Sequence, residues 1–142
     1  IKNQNQTNKL PPDFLVSWKI WAGFAFENYC IKNAMSIARI LRFDDDVISF
    51  GPYFKKDDRN KGFQIDLIFQ RSQNIITVCE IKYSENSIST LVIPEFQRKL
   101  GQLKVKRGVT VEKALITVNG ADQSLYDADY FDYIISIEDL TR

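Results

Sequence analysis

Phe63-Gln64-Ile65-Asp66-Leu67-Ile68-Phe69 and Ile75-Ile76-Thr77-Val78-Cys79-Glu80-Ile81-Lys82 are the two runs whose reading decides the fold. Both are rich in β-branched and aromatic residues, and both are short, so they read as strands. The polar stretch Arg71-Ser72-Gln73-Asn74 between them reads as a hairpin loop. Each strand is apolar apart from a few charges: Asp66 in the first, Glu80 and Lys82 closing the second. Charges are rarely buried unless they are paired or bind a metal, so these three call for an explanation.

Period and turn place them. Side chains alternate faces along a strand, so Glu80 and Lys82 share one face. Folding about residue 73 sets Asp66 nearly opposite Glu80, and directly opposed side chains lie about 4.5–5.5 Å apart at Cβ. A slip of one residue would turn one strand over, so a bulge could undo the match. In the favourable register Asp66, Glu80 and Lys82 converge. Two carboxylates so close repel each other unless a cation lies between them. Mg²⁺ suits such a pair, because it takes oxygen ligands and is usually held by one or two carboxylates plus substrate phosphate. The plainer alternative is a solvated acid and lysine at a strand end.

The 142 residues suit one domain with a proper core. A hydrophobic share of 44% argues for a folded chain, and no apolar run approaches the ~18 residues of a membrane span. Residues 1–12 are polar and rich in Asn and Gln, and read as a linker before a domain at 13–142. Cys30 and Cys79 sit among apolar residues and read as free, buried thiols, which fits a cytoplasmic protein. The chain contains no histidine. That absence removes Ser-His-Asp and Cys-His hydrolases and histidine metal sites, leaving carboxylates, lysine and a hard cation. The net charge of +1 conceals a division. Residues 55–107 hold 11 Lys and Arg against 6 Asp and Glu, while residues 108–142 hold 2 against 7. The basic half carries the acid pair and could meet a phosphate backbone.

Around the hairpin the pattern reads α-β-β-β-α-β-β. Asp13 would cap a helix running to about Leu41, with Phe24, Ile31, Ala34, Ala38 and Leu41 on one stripe and a break near Gly23. Glu27 falls in that stripe, where an acid either snorkels to water or reaches the site. Asp44-Asp45-Asp46 reads as a loop, and Val47 to Phe54 as a strand interrupted by Gly51-Pro52. The charged stretch from Lys55 to Gly62 reads as a turn. Pro94-Glu95 opens a helix to about Lys106, with Phe96, Leu100 and Leu103 inward and Arg98, Lys99, Lys104, Lys106 and Arg107 on a basic face. Ala114–Val118 is a strand, Asn119-Gly120 a turn, and Tyr133–Ile137 the last strand.

Three blocks in order, Trp21-Ala22-Gly23-Phe24-Ala25-Phe26-Glu27-Asn28-Tyr29-Cys30, Gln64-Ile65-Asp66-Leu67 and Cys79-Glu80-Ile81-Lys82-Tyr83, resemble the PD-(D/E)xK nuclease superfamily. More narrowly they resemble the nuclease-like domains at the C-terminus of bacterial and archaeal AAA-type ATPases. The resemblance covers nearly the whole chain. It implies a restriction-endonuclease-like α/β core, with a central mixed sheet flanked by helices. It further implies that Asp66, Glu80 and the backbone carbonyl of Ile81 bind Mg²⁺ or Mn²⁺, that Lys82 positions the attacking water, and that Glu27 acts through water or from behind the ligands. Gln64, Gln97, Gln102 and Lys99 are candidates for contact with substrate. The superfamily's nominal proline before the aspartate is Ile65 here. No GxxxxGK[ST] pattern is present, so an associated ATPase domain would lie outside these residues.

Two functions follow as expectations. One is a metal-dependent nuclease domain that hydrolyses DNA phosphodiester bonds. The other is a nuclease-fold module without activity, which binds DNA or regulates an attached ATPase.

Overall fold

The computed structural model describes residues 12–55 and 62–140, with side chains described over 18–55 and 62–139. The polar segment 1–11 and most of the charged turn lie outside the described residues. In chain order the elements are α1 (Pro12–Lys32), α2 (Ala34–Ile40), a 3-10 turn (Asp44–Asp46), β1 (Val47–Lys55), β2 (Phe63–Arg71), β3 (Ile75–Lys82), α3 (Val92–Gln102), β4 (Thr110–Thr117), α4 (Gln123–Asp127), β5 (Tyr133–Ser136) and α5 (Ile137–Leu140).

The five strands form one mixed sheet in the order β1-β2-β3-β4-β5. β1, β2 and β3 are antiparallel neighbours, and β3, β4 and β5 run parallel. The parallel β3–β4 pair needs a crossover, which α3 supplies. Helices cover both faces. On one, Phe26 and Cys30 of α1 and Ala34, Ile37 and Ala38 of α2 pack on Leu67, Phe69, Cys79, Ala114 and Ile116. On the other, Val92 and Phe96 of α3 and Leu125 of α4 pack on Ile65, Val78 and Leu115. Burial raises the pKa of both thiols, Cys30 to about 12, so neither is a reactive thiolate.

Several boundaries differ from the sequence-based expectation, each for a physical reason. Pro12 is the first helical residue, so Asp13 lies inside α1 instead of capping it. Proline suits that position because its missing N–H would have no partner there. The helical stretch breaks at Asn33, not at Gly23. Uninterrupted helix past Gly23 rotates the buried stripe to Ala22, Phe26, Cys30, Ala34 and Ile37, and leaves Phe24 63% exposed. β1 runs straight through Gly51-Pro52, which is accommodated by a register shift between Gly51 and Tyr53. Proline is tolerated there because β1 is an edge strand. α3 begins earlier and stops earlier than Pro94–Lys106, because Leu103 turns to an extended conformation. Asp44–Asp46 forms a 3-10 turn instead of a loop, and the last strand ends at Ser136 where Ile137 starts α5. The Asn119-Gly120 turn is present, with Gly120 at φ 81°, a value that costs glycine least.

Candidate functional site

The hairpin register is Leu67↔Cys79, Ile68↔Val78 and Phe69↔Thr77, which is the register centred on residue 73. The turn that fixes it places Gln73 and Asn74 both at positive φ. The backbone ladder between β2 and β3 ends at Leu67↔Cys79, one step before Asp66 and Glu80. Beyond that point the side chain of Asp66 takes over: its Oδ2 accepts a hydrogen bond from the Ile81 amide at 2.9 Å. A carboxylate therefore stands where the next strand-to-strand partner would be.

Asp66 and Glu80 are both buried, at 9% and 1% exposure. They are the only charged residues in the core of the described chain. Burial raises the pKa of Asp66, against the Ile81 amide and the positive charge of Lys99, and the charge of Glu27 adds to the rise. Burial likewise pushes Glu80 up to about 7, although Lys99 pulls the other way and Asp66 adds repulsion. Both acids are thus held in a place that disfavours negative charge, with a cation close enough to offset part of the cost.

That cation comes from α3. Lys99 Nζ lies 2.9 Å from Glu80 Oε1. Burial alone would lower the Lys99 pKa, but the hydrogen bond and charge of Glu80, with Asp66 behind, raise it. Lys82 leans onto α3 as well and meets Glu95 at 3.0 Å. The hydrogen bond from Lys82 holds the Glu95 carboxyl below its ordinary range. Glu95 and Lys99 are one turn apart on α3, so the same helical face presents an acid to Lys82 and a base to Glu80. The four charges interleave as two ion pairs across β3 and α3.

One atom is left over. Glu80 Oε2 is buried and has no hydrogen-bond partner among the described residues. An orphaned carboxylate oxygen in a core is costly, and it is the kind of atom a bound cation satisfies. With Asp66 beside it, this oxygen fits the donor chemistry of a hard divalent ion.

The other expected residues are distributed unevenly. Glu27 is half-buried and accepts a hydrogen bond from Gln64 Nε2 at 2.9 Å. Among the described residues no cluster of three or more Asp, Glu, Cys or His side chains is assembled to hold a metal. Glu27 thus bears on Asp66 through charge, and does not complete a three-carboxylate cluster among the described residues. Gln64 is engaged with Glu27 instead of standing free for substrate. At Ile81 it is the amide that contacts Asp66. Gln97 and Gln102 are exposed on α3. Lys99, placed on a solvated basic face by its helical position, instead turns inward to the acid pair. Glu95 reads in sequence only as a helix-opening acid, because a first-turn acid is ordinary in a helix, and its pairing with Lys82 does not show there. The four-residue spacing of Glu95 and Lys99 on a helix beside the acid strand was the signal available.

A second ion cluster lies at the hairpin end, away from these acids. Arg71 makes a bidentate pair with Asp46 at 2.9 and 3.0 Å and also bonds Glu112. Its guanidinium stacks over Phe43 at 4.2 Å from the ring centroid. All these partners are spent on one another, so the cluster serves the fold.

No family model matches the chain, and no curated protein matches it either. One solved structure, described as a protein of unknown function, AF1548, aligns with a TM-score of 0.49 at 13% sequence identity. The alignment takes in 75% of this chain and 61% of that one, so the chain spans under two thirds of its length.

Proposed function

We propose that the chain is a metal-dependent nuclease domain that hydrolyses DNA phosphodiester bonds on a restriction-endonuclease-like fold. The observation that carries this reading is the buried, unpartnered Glu80 Oε2 beside the buried Asp66. Asp66 and Glu80 would hold Mg²⁺ or Mn²⁺. When bound, such an ion polarises the phosphate and lowers the pKa of coordinated water. The protein's own groups do the rest. The Ile81 amide fixes Asp66, and Lys99 offsets part of the cost of charge on Glu80 by pairing with its other oxygen. Lys82, on the same face of β3 as Glu80, supplies positive charge toward the phosphate once it parts from Glu95. Glu27 adds a third negative charge from α1. The resemblance of the blocks around Glu27, Asp66 and Glu80 supports reading the domain as the C-terminal part of a larger AAA-type ATPase.

The test is cleavage of single-stranded, duplex and branched DNA with Mg²⁺, with Mn²⁺ and with chelator. Activity should require the metal, and Asp66→Asn or Glu80→Gln should each lower it by at least about 100-fold while the fold persists. Cleavage that continues in chelator, or in Asp66→Asn, would overturn the mechanism.

A specific observation favours a second reading. Both lysines are already paired, Lys99 with Glu80 and Lys82 with Glu95. Such a patch can be a structural device in a non-catalytic module that binds DNA or regulates an attached ATPase. DNA binding with no cleavage of any substrate selects this reading.

A further inference from the structure

The sheet face that carries Glu80 is only partly roofed. α3 and α4 pack over its centre, and β1 with the outer part of β2 extends beyond them. There the shifted register of β1 and the chain leaving α3 enclose an open trough of about 630 Å³. Tyr53, Ile68 and Ile76 give it an apolar lining, and Gln70 adds an amide. Lys104 and Lys106 line it from the segment after α3. Among the described residues no carboxylate lines it. Both lysines are exposed, and neither is ion-paired among the described residues. Arg107 follows directly in the chain and is also exposed. Ile76 and Glu80 are four residues apart on the same side of β3, so the trough begins about 13 Å from the acid pair.

We infer that this trough is the track for a single DNA strand leading to the acid pair. The lining suits that occupant in two independent ways. Flat apolar surface with a tyrosine accepts base faces whatever their sequence, and unpaired lysines along one side accept phosphates. Among the described residues the trough presents two unpaired cations and no acid, which selects a polyanion over a neutral apolar segment. The inference rests on the nuclease reading only for what lies at the end of the track. Binding in the trough does not need the metal.

The experiment measures affinity of the full chain for a labelled DNA strand of about 15 nucleotides, in chelator, across about 50 to 200 mM salt. The double variant Lys104→Glu/Lys106→Glu should bind at least about tenfold more weakly. Its log–log salt slope should shrink by about 1.4, the share of two phosphate contacts on a single strand. Lys19→Glu/Lys32→Glu, with the same charge change on α1, should stay within about threefold of wild type. Tyr53→Leu should weaken binding by about fivefold or more through lost stacking. Thermal melting of each variant checks that the fold is intact. Wild-type affinity and slope in the trough variant, or an equal loss in the α1 variant, would overturn the inference. Because no metal and no cleavage enter, the outcomes separate cleanly. Trough-dependent binding without cleavage retires the hydrolase and keeps the track, and cleavage without trough-dependent binding retires the track alone.

Discussion

Glu80 concentrates the chemistry of this protein in one side chain. It is fully buried, ion-paired through Oε1 and orphaned at Oε2. Its folded-state pKa of about 7 lies above the ordinary carboxylate value of 4.5, chiefly because burial disfavours the charge. The linkage has a definite sign. Between pH 4.5 and about 7 the folded chain holds this proton more tightly than the unfolded chain does, so stability falls as pH rises across that window. The loss attributable to this residue is on the order of 3 kcal/mol. Glu80→Gln should therefore be more stable than wild type at pH 8 without divalent ions, and the advantage should vanish near pH 4.5. Urea melts at the two pH values check this, and a parallel offset at both would refute it. Asp66 and Glu80 were legible in sequence because charges in apolar strands violate the burial pattern. Lys99 was legible as a basic helix residue and a candidate for substrate contact, not as the partner of Glu80. Its inward turn depends on where α3 sits over β3, which periodicity within α3 does not state.

At the scale of elements, the hairpin is held at two ends by two different devices. At the open end Asp66 reaches across to the Ile81 amide. At the turn end Arg71 gathers the 3-10 turn, β3 and β4 through Asp46, Thr77 and Glu112. The Arg71 side chain is 10% exposed while those of its acid partners retain 31% and 27%. Removing the arginine thus strands two acids that still see some water. Arg71→Met should cost about 2–3 kcal/mol, less than the loss for a fully buried pair. The hydrogen bond from Arg71 depresses the Asp46 pKa, so the contribution of that pair is present above the ordinary carboxylate range and fades as pH falls below it. The variant should accordingly lose part of its deficit at acidic pH. Any divalent-ion effect on the chain should survive it, since the acid pair lies at the other end of the strands. A chevron or equilibrium urea series at neutral and acidic pH reads both effects. The hairpin and its register were plain from the sequence, because alternation and turn chemistry are local. The Arg71 cluster was not, since Arg71 looked like loop and its partners come from 25 and 41 residues away. The helix stripe was misplaced for a related reason. With Trp18, Ile20, Trp21, Phe24 and Tyr29 all exposed, α1 is apolar around much of its circumference, and periodicity does not single out one face.

For the whole molecule, the parallel half of the sheet and its helices form a rigid bed, and the acid pair sits where the antiparallel ladder stops. The order of elements along the chain followed from the pattern, while the strand order in the sheet and the parallel β3–β4 pairing did not, because they depend on contacts far apart in sequence. The pair's surplus of negative charge is a property of the folded chain alone, since unfolding separates Asp66 and Glu80 by 14 residues of solvated backbone. A divalent cation that binds the pair must therefore bind the folded state in preference and raise its stability by mass action. At ten times its dissociation constant the gain is about 1.4 kcal/mol, which for a chain of this length corresponds to a melting-temperature rise of roughly 4 °C. Mg²⁺, Mn²⁺ and the larger Ca²⁺ should each produce a rise that saturates, with chelator restoring the original value. Asp66→Asn and Glu80→Gln should flatten the response while melting as single cooperative transitions. Lys99→Met should sharpen the contrast, because it leaves Glu80 without its internal cation: lower stability alone, and a larger rise on adding metal. Differential scanning calorimetry of the four proteins decides the matter. A melting temperature indifferent to all three ions would mean that Lys99 and Lys82 already satisfy the acids, and the patch would then be a structural ion-pair network instead of a metal centre.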